Sequence, residues 1–294
     1  MSRASEARLT NIMTSWKLLI DGLSFGESPR WHEDRLWLCD WGAGELIAVA
    51  LDGARETIAH VPSFPFCIAW DRDGRLLITH ARDQAVVTLG PGGELERVAD
   101  LSSVSERPPG NEIVADPAGH VYVNGGGFDL MAGEPPAPGM IALLTGDGRA
   151  QQVAGDLHFP NGMAVTPDGL TLICAESYAG RLSAFAIAPD GSLQDRRAWA
   201  EIEGSAPDGI ALDAEGAVWY ADVPNRRCVR VAEGGEILDV RETDRGCFSC
   251  ALGGPQGRTL FAVVRRWDSA ASLQEGEGTG QVIMTEVEVP APAT

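Results

Sequence analysis

The feature that most constrains the fold of this 294-residue chain is a unit that recurs six times. Each unit places a short polar turn between two runs of apolar and β-branched residues. The spacings between successive turns are 40, 45, 50, 47 and 41 residues, which fall in or near the range of about 40–50 residues expected of propeller blades. The residues that mark the turns are Asp34, Gly74, Gly119, Gly169, Gly216 and Gly257.

The units share one internal pattern, which is that of a β-hairpin. Residues 113–115 and 121–123 flank the third turn, and residues 210–212 and 218–220 flank the fifth. Alternating apolar residues around such a loop indicate paired strands, and four strands make a blade. Stretches with helical periodicity are scarce, which argues against a parallel α/β sheet. We therefore predict an all-β, six-bladed β-propeller as a single domain over residues 16–294, preceded by an extension at residues 1–15.

The charge of the chain excludes several classes of partner. The formal net charge is −19, and Lys17 is the only lysine. A field of this sign repels nucleic acids and anionic membranes, and a single lysine outside the repeats makes Schiff-base chemistry a poor hypothesis. Residues 1–14 lack the apolar segment of a secretory signal, and no run of 18 apolar residues occurs. We expect no nucleic-acid partner, no membrane association and a cytoplasmic location.

The cysteines and tryptophans are expected to serve packing. Six cysteines are scattered through strand-like runs, and the one CxxC pair, Cys247 and Cys250, has no second pair with which to form a zinc site. We predict buried free thiols. Trp31, Trp70 and Trp219 lie close to the turns of their units and are expected to pack between blades rather than to bind a ligand.

One residue in each unit occupies the position at which the innermost strand begins to line the central channel. Residues at this common phase should converge at one channel mouth. Three of them carry the oxygen donors that hard or borderline metal ions prefer, and together they could hold a divalent cation while leaving positions for water and substrate. The six residues are Glu27, Cys67, Asn111, Asn161, Asp208 and Ser249, and the three oxygen donors are Glu27, Asn161 and Asp208.

Two of these donors lie in tripeptides that also have an ordinary interpretation. Asn161 is the centre of Pro-Asn-Gly and Asp208 is the centre of Pro-Asp-Gly, and both tripeptides are common in turns. Either tripeptide alone would favour a turn. Their recurrence in phase with Glu27 favours a shared metal site.

These motifs resemble those of the SMP-30/gluconolactonase/luciferin-regenerating family, the regucalcin-like proteins. The resemblance is carried by GESPRW at 26–31, PNG at 160–162 and PDGIALD at 207–213, and it extends from about Trp16 to about Glu288. It implies a six-bladed propeller with a divalent metal in the channel, held by Glu27, Asn161 and Asp208. It also implies that Asn111, at the start of the third blade, contacts the substrate.

The chain departs from the family pattern in two places. The family often has Arg-x-Asn-Asp at the start of the third blade, whereas here Arg107 lies two positions further from Asn111, and Glu112 replaces the aspartate. Arg107 and Glu112 are nevertheless kept as candidate substrate contacts. The second departure is the glycine-rich segment 125–139, whose apolar tip predicts either a lid over the channel or a plain surface loop.

The function favoured by the sequence is that of a metal-dependent lactonase, which opens an aldonolactone or a related small cyclic ester. Asp208 would bind the metal and accept a proton from the attacking water, and Asn111 would orient the substrate or the water. His158 is the only histidine near this set and is a lesser candidate for proton transfer. The metal could be Ca²⁺, Zn²⁺, Mg²⁺, Mn²⁺ or Fe²⁺.

Two alternatives stay open at this point. The same metal could serve the hydrolysis of another ester, such as an aryl ester or an organophosphate, if residues 64–66 and 128–130 face the channel mouth. The chain could also be a non-catalytic propeller that binds a metal. A Ser-His-Asp hydrolase is disfavoured, because no Gly-x-Ser-x-Gly motif occurs between a strand and a helix.

Overall fold

A computed structural model of the protein describes residues 16–104, 107, 110–130, 132–267 and 278–293. The predicted extension at residues 1–15 lies outside the described residues. Within them, twenty-four strands form six antiparallel sheets of four strands each, which confirms the predicted six-bladed β-propeller. The described ranges contain one turn of 3₁₀ helix, Ala81–Asp83, and no helix with the length and apolarity to cross a membrane.

The blades follow one another along the chain, and each is named here from its innermost strand outward. Blade one comprises β2 (Gly26–His32), β3 (Arg35–Asp40), β4 (Glu45–Val49) and β5 (Arg55–His60). Blade two comprises β6 (Ile68–Trp70), β7 (Leu76–His80), β8 (Ala85–Leu89) and β9 (Leu95–Asp100). Blade three comprises β10 (Glu112–Ala115), β11 (Val121–Gly125), β12 (Gly139–Leu144) and β13 (Ala150–Leu157).

The second half of the ring repeats this order until the last blade. Blade four comprises β14 (Pro160–Val165), β15 (Thr171–Glu176), β16 (Arg181–Ile187) and β17 (Leu193–Glu201). Blade five comprises β18 (Pro207–Leu212), β19 (Val218–Asp222), β20 (Arg227–Val231) and β21 (Ile237–Glu242). Blade six comprises β22 (Gly246–Gly253), β23 (Thr259–Arg265), β24 (Gly280–Glu286) and, from the other end of the chain, β1 (Lys17–Leu23). The innermost strands of neighbouring blades contact one another all round the ring.

The ring is closed by pairing the two ends of the propeller. β1 runs antiparallel to β24, with Leu18 opposite Ile283 and Leu23 opposite Gly280, so β1 becomes the outermost strand of blade six. Leu23 and its neighbours on β1 pack with Leu38 of blade one and Val282 of blade six. The N-terminal strand therefore joins the last blade to the first through both hydrogen bonds and apolar burial.

The tryptophans and cysteines that were predicted to serve packing lie in or against the apolar clusters of the blades. Trp219 is almost fully buried, and Trp31 and Trp70 lie against the apolar clusters of their blades. All six cysteines are buried and free, as predicted.

The inner strands are not regular where the candidate ligands lie. The pairing register shifts between Glu27 and Arg30 in blade one, and equivalent shifts follow Pro160 in blade four and Pro207 in blade five. Such bulges bend a strand and change the direction of its side chains. Pro-Asn-Gly and Pro-Asp-Gly are thus strand segments and not turns, so the turn interpretation of both tripeptides is wrong.

The glycine of each tripeptide is required by close packing of adjacent inner strands. A Cβ atom on Gly162 would lie 2.6 Å from the carbonyl oxygen of Asp208, and one on Gly209 would lie 2.0 Å from Oγ of Ser249. Neither distance is tolerable for a side chain, so only glycine lets blades four, five and six approach this closely.

We expect Leu23→Ala to destabilise the protein by about 2–5 kcal/mol, because it leaves a cavity where β1 closes the ring. Leu23 is completely buried in this position. The free energy of unfolding in urea, followed by circular dichroism, measures the loss. Leu18→Ala is the matched control on the same strand, since Leu18 is 53% exposed and should change stability by no more than about 0.5 kcal/mol. Equal losses in the two variants would contradict the assigned role of β1 in closure.

Candidate metal and substrate site

One mouth of the central channel opens into a cavity of about 610 Å³. Glu27, Asn111, Asn161 and Asp208 line it, so four residues that share a repeat phase on four blades do converge. Cys67 and Ser249, from the same phase in the other two blades, are buried and do not line the cavity.

Glu27 lies on the bulged part of β2 and is buried. Its Oε2 accepts a hydrogen bond of 3.1 Å from the backbone N–H of Ser28, and its carboxylate also interacts with the hydroxyl of Ser249. Burial raises the pKa of Glu27 to about 8. The charge of Glu112 adds to this rise in pKa, while the hydrogen bonds from Ser28 and Ser249 and the charge of Arg30 oppose it.

Asp208, on β18, has a carboxylate oxygen that is not stabilised by a hydrogen bond from the described residues. Its Oδ1 is buried and has no hydrogen-bond partner among the described residues. Burial, followed by the charges of Glu27 and Glu112, raises the pKa of Asp208 well above its usual value. A cation beside Glu27 and Asp208 would lower the pKa of both carboxyl groups and so favour their ionised forms.

Asn161, on β14, is held by several hydrogen bonds around the channel. Its Oδ1 accepts from Nδ2 of Asn111 at 3.2 Å, and its Nδ2 donates to Oγ of Ser177 at 3.4 Å. Ser177 in turn donates to the carbonyl oxygen of Pro207 at 2.7 Å, which connects Asn161 to the strand that carries Asp208. These contacts fix the side-chain amide in the orientation that presents it to the cavity.

Asn124 is a supporting residue that the sequence analysis did not identify. It is fully buried on β11, and its Nδ2 donates to the backbone carbonyl oxygen of Asn161. The available signal was an amide side chain in the otherwise apolar strand at residues 121–124. A buried amide of this kind is usually retained for a specific hydrogen bond.

The donors present fit a divalent cation. Glu27 and Asp208 supply carboxylate oxygens and Asn161 supplies an amide oxygen, which is the chemistry that hard cations prefer. Oδ1 of Asp208 is an oxygen that receives no hydrogen bond from the part of the chain that the structure describes. No group of three or more His, Cys, Asp or Glu side chains suited to a metal occurs in the described part of the chain, so a site here depends on the amide of Asn161.

Glu112 does not join the residues that line the cavity. Its Oε1 accepts a hydrogen bond of 2.8 Å from Nη2 of Arg30 and another from the backbone N–H of Ile113. Glu112 therefore lies in a buried ion pair, and the structure does not place it where it was expected to contact the substrate. Its charge acts instead on the pKa values of Glu27 and Asp208.

Arg107 and the glycine-rich segment form part of the cavity rim. Arg107 lines the cavity and is paired with Glu134, whose other carboxylate oxygen accepts from the backbone N–H of Asp129. Residues 125, 126 and 128–130 also line the cavity, so the first part of segment 125–139 contributes to its lining. His158 is exposed and does not line the cavity, so the structure does not bring it to the candidate ligands.

Most of the aromatic rings that surround the mouth were not predicted from the sequence. They form two groups, which we call the first and the second aromatic wall. Ring centroids of neighbours within a wall lie between 4.7 and 6.1 Å apart. The first wall is Phe25, Trp41, Phe64, Phe248 and Trp267, and the second wall is Phe128, Phe159 and Tyr178.

Phe159 is presented to the cavity by an unusual backbone conformation. Its φ is +57°, which is uncommon for a bulky residue and must be held by the surrounding structure. The carbonyl oxygen of Phe159 accepts from the N–H of Ser177, and the backbone N–H of His158 donates to Oε2 of Glu176 at 2.8 Å. Glu176 thereby anchors the turn that carries Phe159.

Glu176 is the most heavily hydrogen-bonded carboxylate near the site. It is completely buried and also accepts from Arg181, Arg196 and Ser183. Burial opposes ionisation, but these hydrogen bonds outweigh it and lower the pKa of Glu176 to about 2.

The fold and the cavity together define a β-propeller whose channel mouth is lined by candidate oxygen ligands and by two aromatic walls. A family model described as the SMP-30/gluconolactonase/LRE-like region matches residues 25–265. The chain belongs to this family.

The comparisons also identify individual relatives. The chain is 28% identical over 277 residues to a 6-deoxy-6-sulfogluconolactonase from Pseudomonas putida, covering 91% of this chain and 93% of the relative. It is 24% identical over 199 residues to a diisopropyl-fluorophosphatase from Loligo vulgaris, covering 61% and 63%. The fold is similar to that of a crystal structure described as a calcium-binding protein, regucalcin, from Agrobacterium tumefaciens, with a TM-score of 0.75, 19% identity and coverage of 95% and 97%.

We expect Glu176→Gln to lower the free energy of unfolding at neutral pH by about 2–3 kcal/mol, as is typical when hydrogen bonds to a charged group are lost. The variant should also change the acid limb of the stability profile. Because the folded-state pKa of about 2 lies below the ordinary value near 4.5, the carboxylate stabilises the fold above pH 4.5, and this contribution is lost as the pH falls toward 2.

Urea unfolding between pH 2.5 and 7 tests both statements. Glu203→Gln, in the exposed turn between blades four and five, is the control and should follow the original protein. An acid limb that is equally steep in Glu176→Gln and in the original protein would show that Glu176 is not the group that titrates.

Proposed function

We propose that the protein is a divalent-metal-dependent hydrolase that opens a small lactone to the hydroxy acid. The observation that carries the proposal is the convergence of Glu27, Asn161 and Asp208 in one cavity, together with the buried Oδ1 of Asp208, which has no hydrogen-bond partner among the described residues. The relative named 6-deoxy-6-sulfogluconolactonase supports the same class of reaction. An aldonolactone or another small cyclic ester would place its ring against these three residues.

In this proposal Glu27, Asn161 and Asp208 hold the cation, and the relative described as calcium-binding supports a divalent ion. When bound, the cation would supply Lewis-acid polarisation of the ester carbonyl and stabilise the negative charge that develops on its oxygen. Ca²⁺, Mg²⁺, Mn²⁺, Zn²⁺ and Fe²⁺ are all compatible with this oxygen-rich donor set.

The residues of the chain also handle the water and its proton. Asp208 would accept the proton of the attacking water on the carboxylate oxygen that does not hold the cation. Asn111 orients the substrate or the water, since it lines the cavity and donates to Oδ1 of Asn161. Asn124 and Ser177 keep Asn161 in place through the hydrogen bonds described above.

Arg107 remains a proposed substrate contact at the rim. It lines the cavity, although its guanidinium is paired with Glu134. A substrate group that approached Arg107 would share it with this carboxylate. Glu112 is proposed to act through its ion pair with Arg30 rather than through substrate contact.

A second candidate function is the hydrolysis of a different ester, such as an aryl ester or a phosphorus ester, on the same metal. The aromatic walls favour this second function, because they give the cavity an apolar mouth. The relative named diisopropyl-fluorophosphatase supports the hydrolysis of a phosphorus ester. A panel that includes both ester classes separates the two functions.

We expect Asp208→Asn to lower kcat/KM for lactone hydrolysis by about 10²–10⁴-fold, because it removes both the proton acceptor and a charged ligand. Metal-stripped protein is re-supplied with each divalent ion in turn, and proton release is followed in a pH-stat. The ion that restores activity should also raise the Tm of the original protein more than that of Asp208→Asn.

Asp73→Asn is the matched control, because Asp73 lies in an exposed turn of blade two. It should retain full activity and the full rise in Tm. Retained lactone hydrolysis in Asp208→Asn would remove Asp208 from the mechanism. A rise in Tm with a metal, without turnover of any lactone or ester, would instead support a non-catalytic metal-binding propeller.

A further inference from the structure

The two aromatic walls face each other across the channel mouth. The first aromatic wall comes from blades six, one and two, and the second comes from blades three and four. In a closed ring of six blades, blade one lies opposite blade four, so the walls enclose the space above the candidate ligands from two sides. Val223 and Pro224 of blade five add further apolar lining between them.

The walls are held in place by the surrounding structure. The guanidinium of Arg265 lies 4.8 Å from the ring centroid of Phe25 and does not line the cavity, so it supports this ring from behind. On the other side, Phe159 keeps its strained backbone and stacks on Tyr178, with centroids 4.7 Å apart and the planes 17° from parallel. Strain of this kind is retained where the position of a side chain matters.

Two rings remain accessible although they are large and apolar. Tyr178 is 50% exposed and Phe64 is 43% exposed, and both line the cavity on opposite walls. Exposed aromatic groups that flank a cavity are typical of surfaces that bind an apolar ligand.

The polar groups are distributed unevenly around the cavity. Glu27, Asn111, Asn161 and Asp208 belong to the channel, and the charged and amide residues of the rim come from blades two and three, namely Arg82, Gln84, Arg107 and Asp129. Blade four adds only the hydroxyl groups of Ser177 and Tyr178 to the lining. A polyhydroxylated ligand that filled the whole space would bring hydroxyl groups against aromatic rings, where they would lack hydrogen-bond partners. The cavity volume of about 610 Å³ lies within the range of about 300–1,000 Å³ that suits ligands larger than one small ring.

We propose that the substrate is a lactone with an apolar substituent, either an aromatic ring or an alkyl chain of several carbons, which lies between the two aromatic walls while the ester lies against Glu27, Asn161 and Asp208. This inference rests on the proposed lactone hydrolysis. It assigns substrate selectivity to the walls, with Tyr178 and Phe64 as the accessible specificity residues. It predicts that unsubstituted and polyhydroxylated lactones are the poorer substrates.

The experiment compares kcat/KM of the metal-loaded protein for four lactones. These are δ-valerolactone, δ-decalactone, which adds a five-carbon chain to the same ring, dihydrocoumarin, and glucono-δ-lactone. We expect kcat/KM for δ-decalactone to exceed that for δ-valerolactone and for glucono-δ-lactone by about tenfold or more, since even one methylene in an apolar pocket is worth about tenfold. Dihydrocoumarin, whose phenolate leaving group raises its reactivity by itself, serves only to show whether an aromatic lactone is accepted. The gain should appear mainly in KM, because the substituent is bound equally in the ground state and the transition state.

Variants in the walls test the assignment. Tyr178→Ala and Phe64→Ala should each lower the ratio of kcat/KM for δ-decalactone over δ-valerolactone by about threefold to tenfold, and Tyr178→Phe, which keeps the ring, should restore it. Leu170→Ala is the control, because Leu170 is 61% exposed in blade four and does not line the cavity. It should leave the ratio unchanged.

The outcomes separate this inference from the function on which it rests. Hydrolysis of glucono-δ-lactone or δ-valerolactone with a kcat/KM equal to or above that of δ-decalactone would overturn the apolar substituent and leave lactone hydrolysis standing. A preference for δ-decalactone that persists in both wall variants would overturn the assignment to the walls. Failure to hydrolyse any of the four lactones with any divalent ion would overturn the proposed function, and the inference with it.

Discussion

The pairing of β1 with β24 holds the ring closed, and the candidate site depends on that closure. Glu27, Asn111, Asn161 and Asp208 belong to four different blades, and no two of them are on the same hairpin. Each blade buries its apolar faces against its neighbours, so the positions of the inner strands are set by the ring as a whole. A break at blade six would expose the faces of blades six and one and release the constraint on every inner strand.

The channel buries more carboxyl groups than its own cations balance. The charge of Glu112 raises the pKa of both Glu27 and Asp208, and Arg30 is ion-paired with Glu112. Burial of carboxylates is costly unless they are paired or bind a metal. The raised pKa values of Glu27 and Asp208 express this cost, which the rest of the fold must offset, and it is the electrostatic condition under which a divalent cation would bind.

The repeat phase brings four of its six residues to the cavity, and the position of Glu112, which was expected from the family pattern, has a geometric cause. Asn111, Asn161 and Asp208 occupy equivalent positions at the start of inner strands and all line the cavity. Glu112 follows Asn111 directly, and successive side chains of an extended chain point to opposite sides. Once Asn111 faces the cavity, Glu112 points away from it, toward Arg30. The expectation for Glu112 came from the family pattern alone, which does not take into account that neighbouring side chains of a strand point to opposite sides.

The sequence by itself determined the number of blades, the all-β class and the phase of the candidate ligands, because these follow from local alternation and from a spacing that repeats along the chain. Tertiary structure alone decided that β1 completes blade six, that Gly162 and Gly209 are needed for close strand packing, and that two aromatic walls stand over the site. The rings of those walls come from loops and strand ends of five blades and share no spacing. Their proximity is a property of the closed ring, and no local pattern in the chain encodes it.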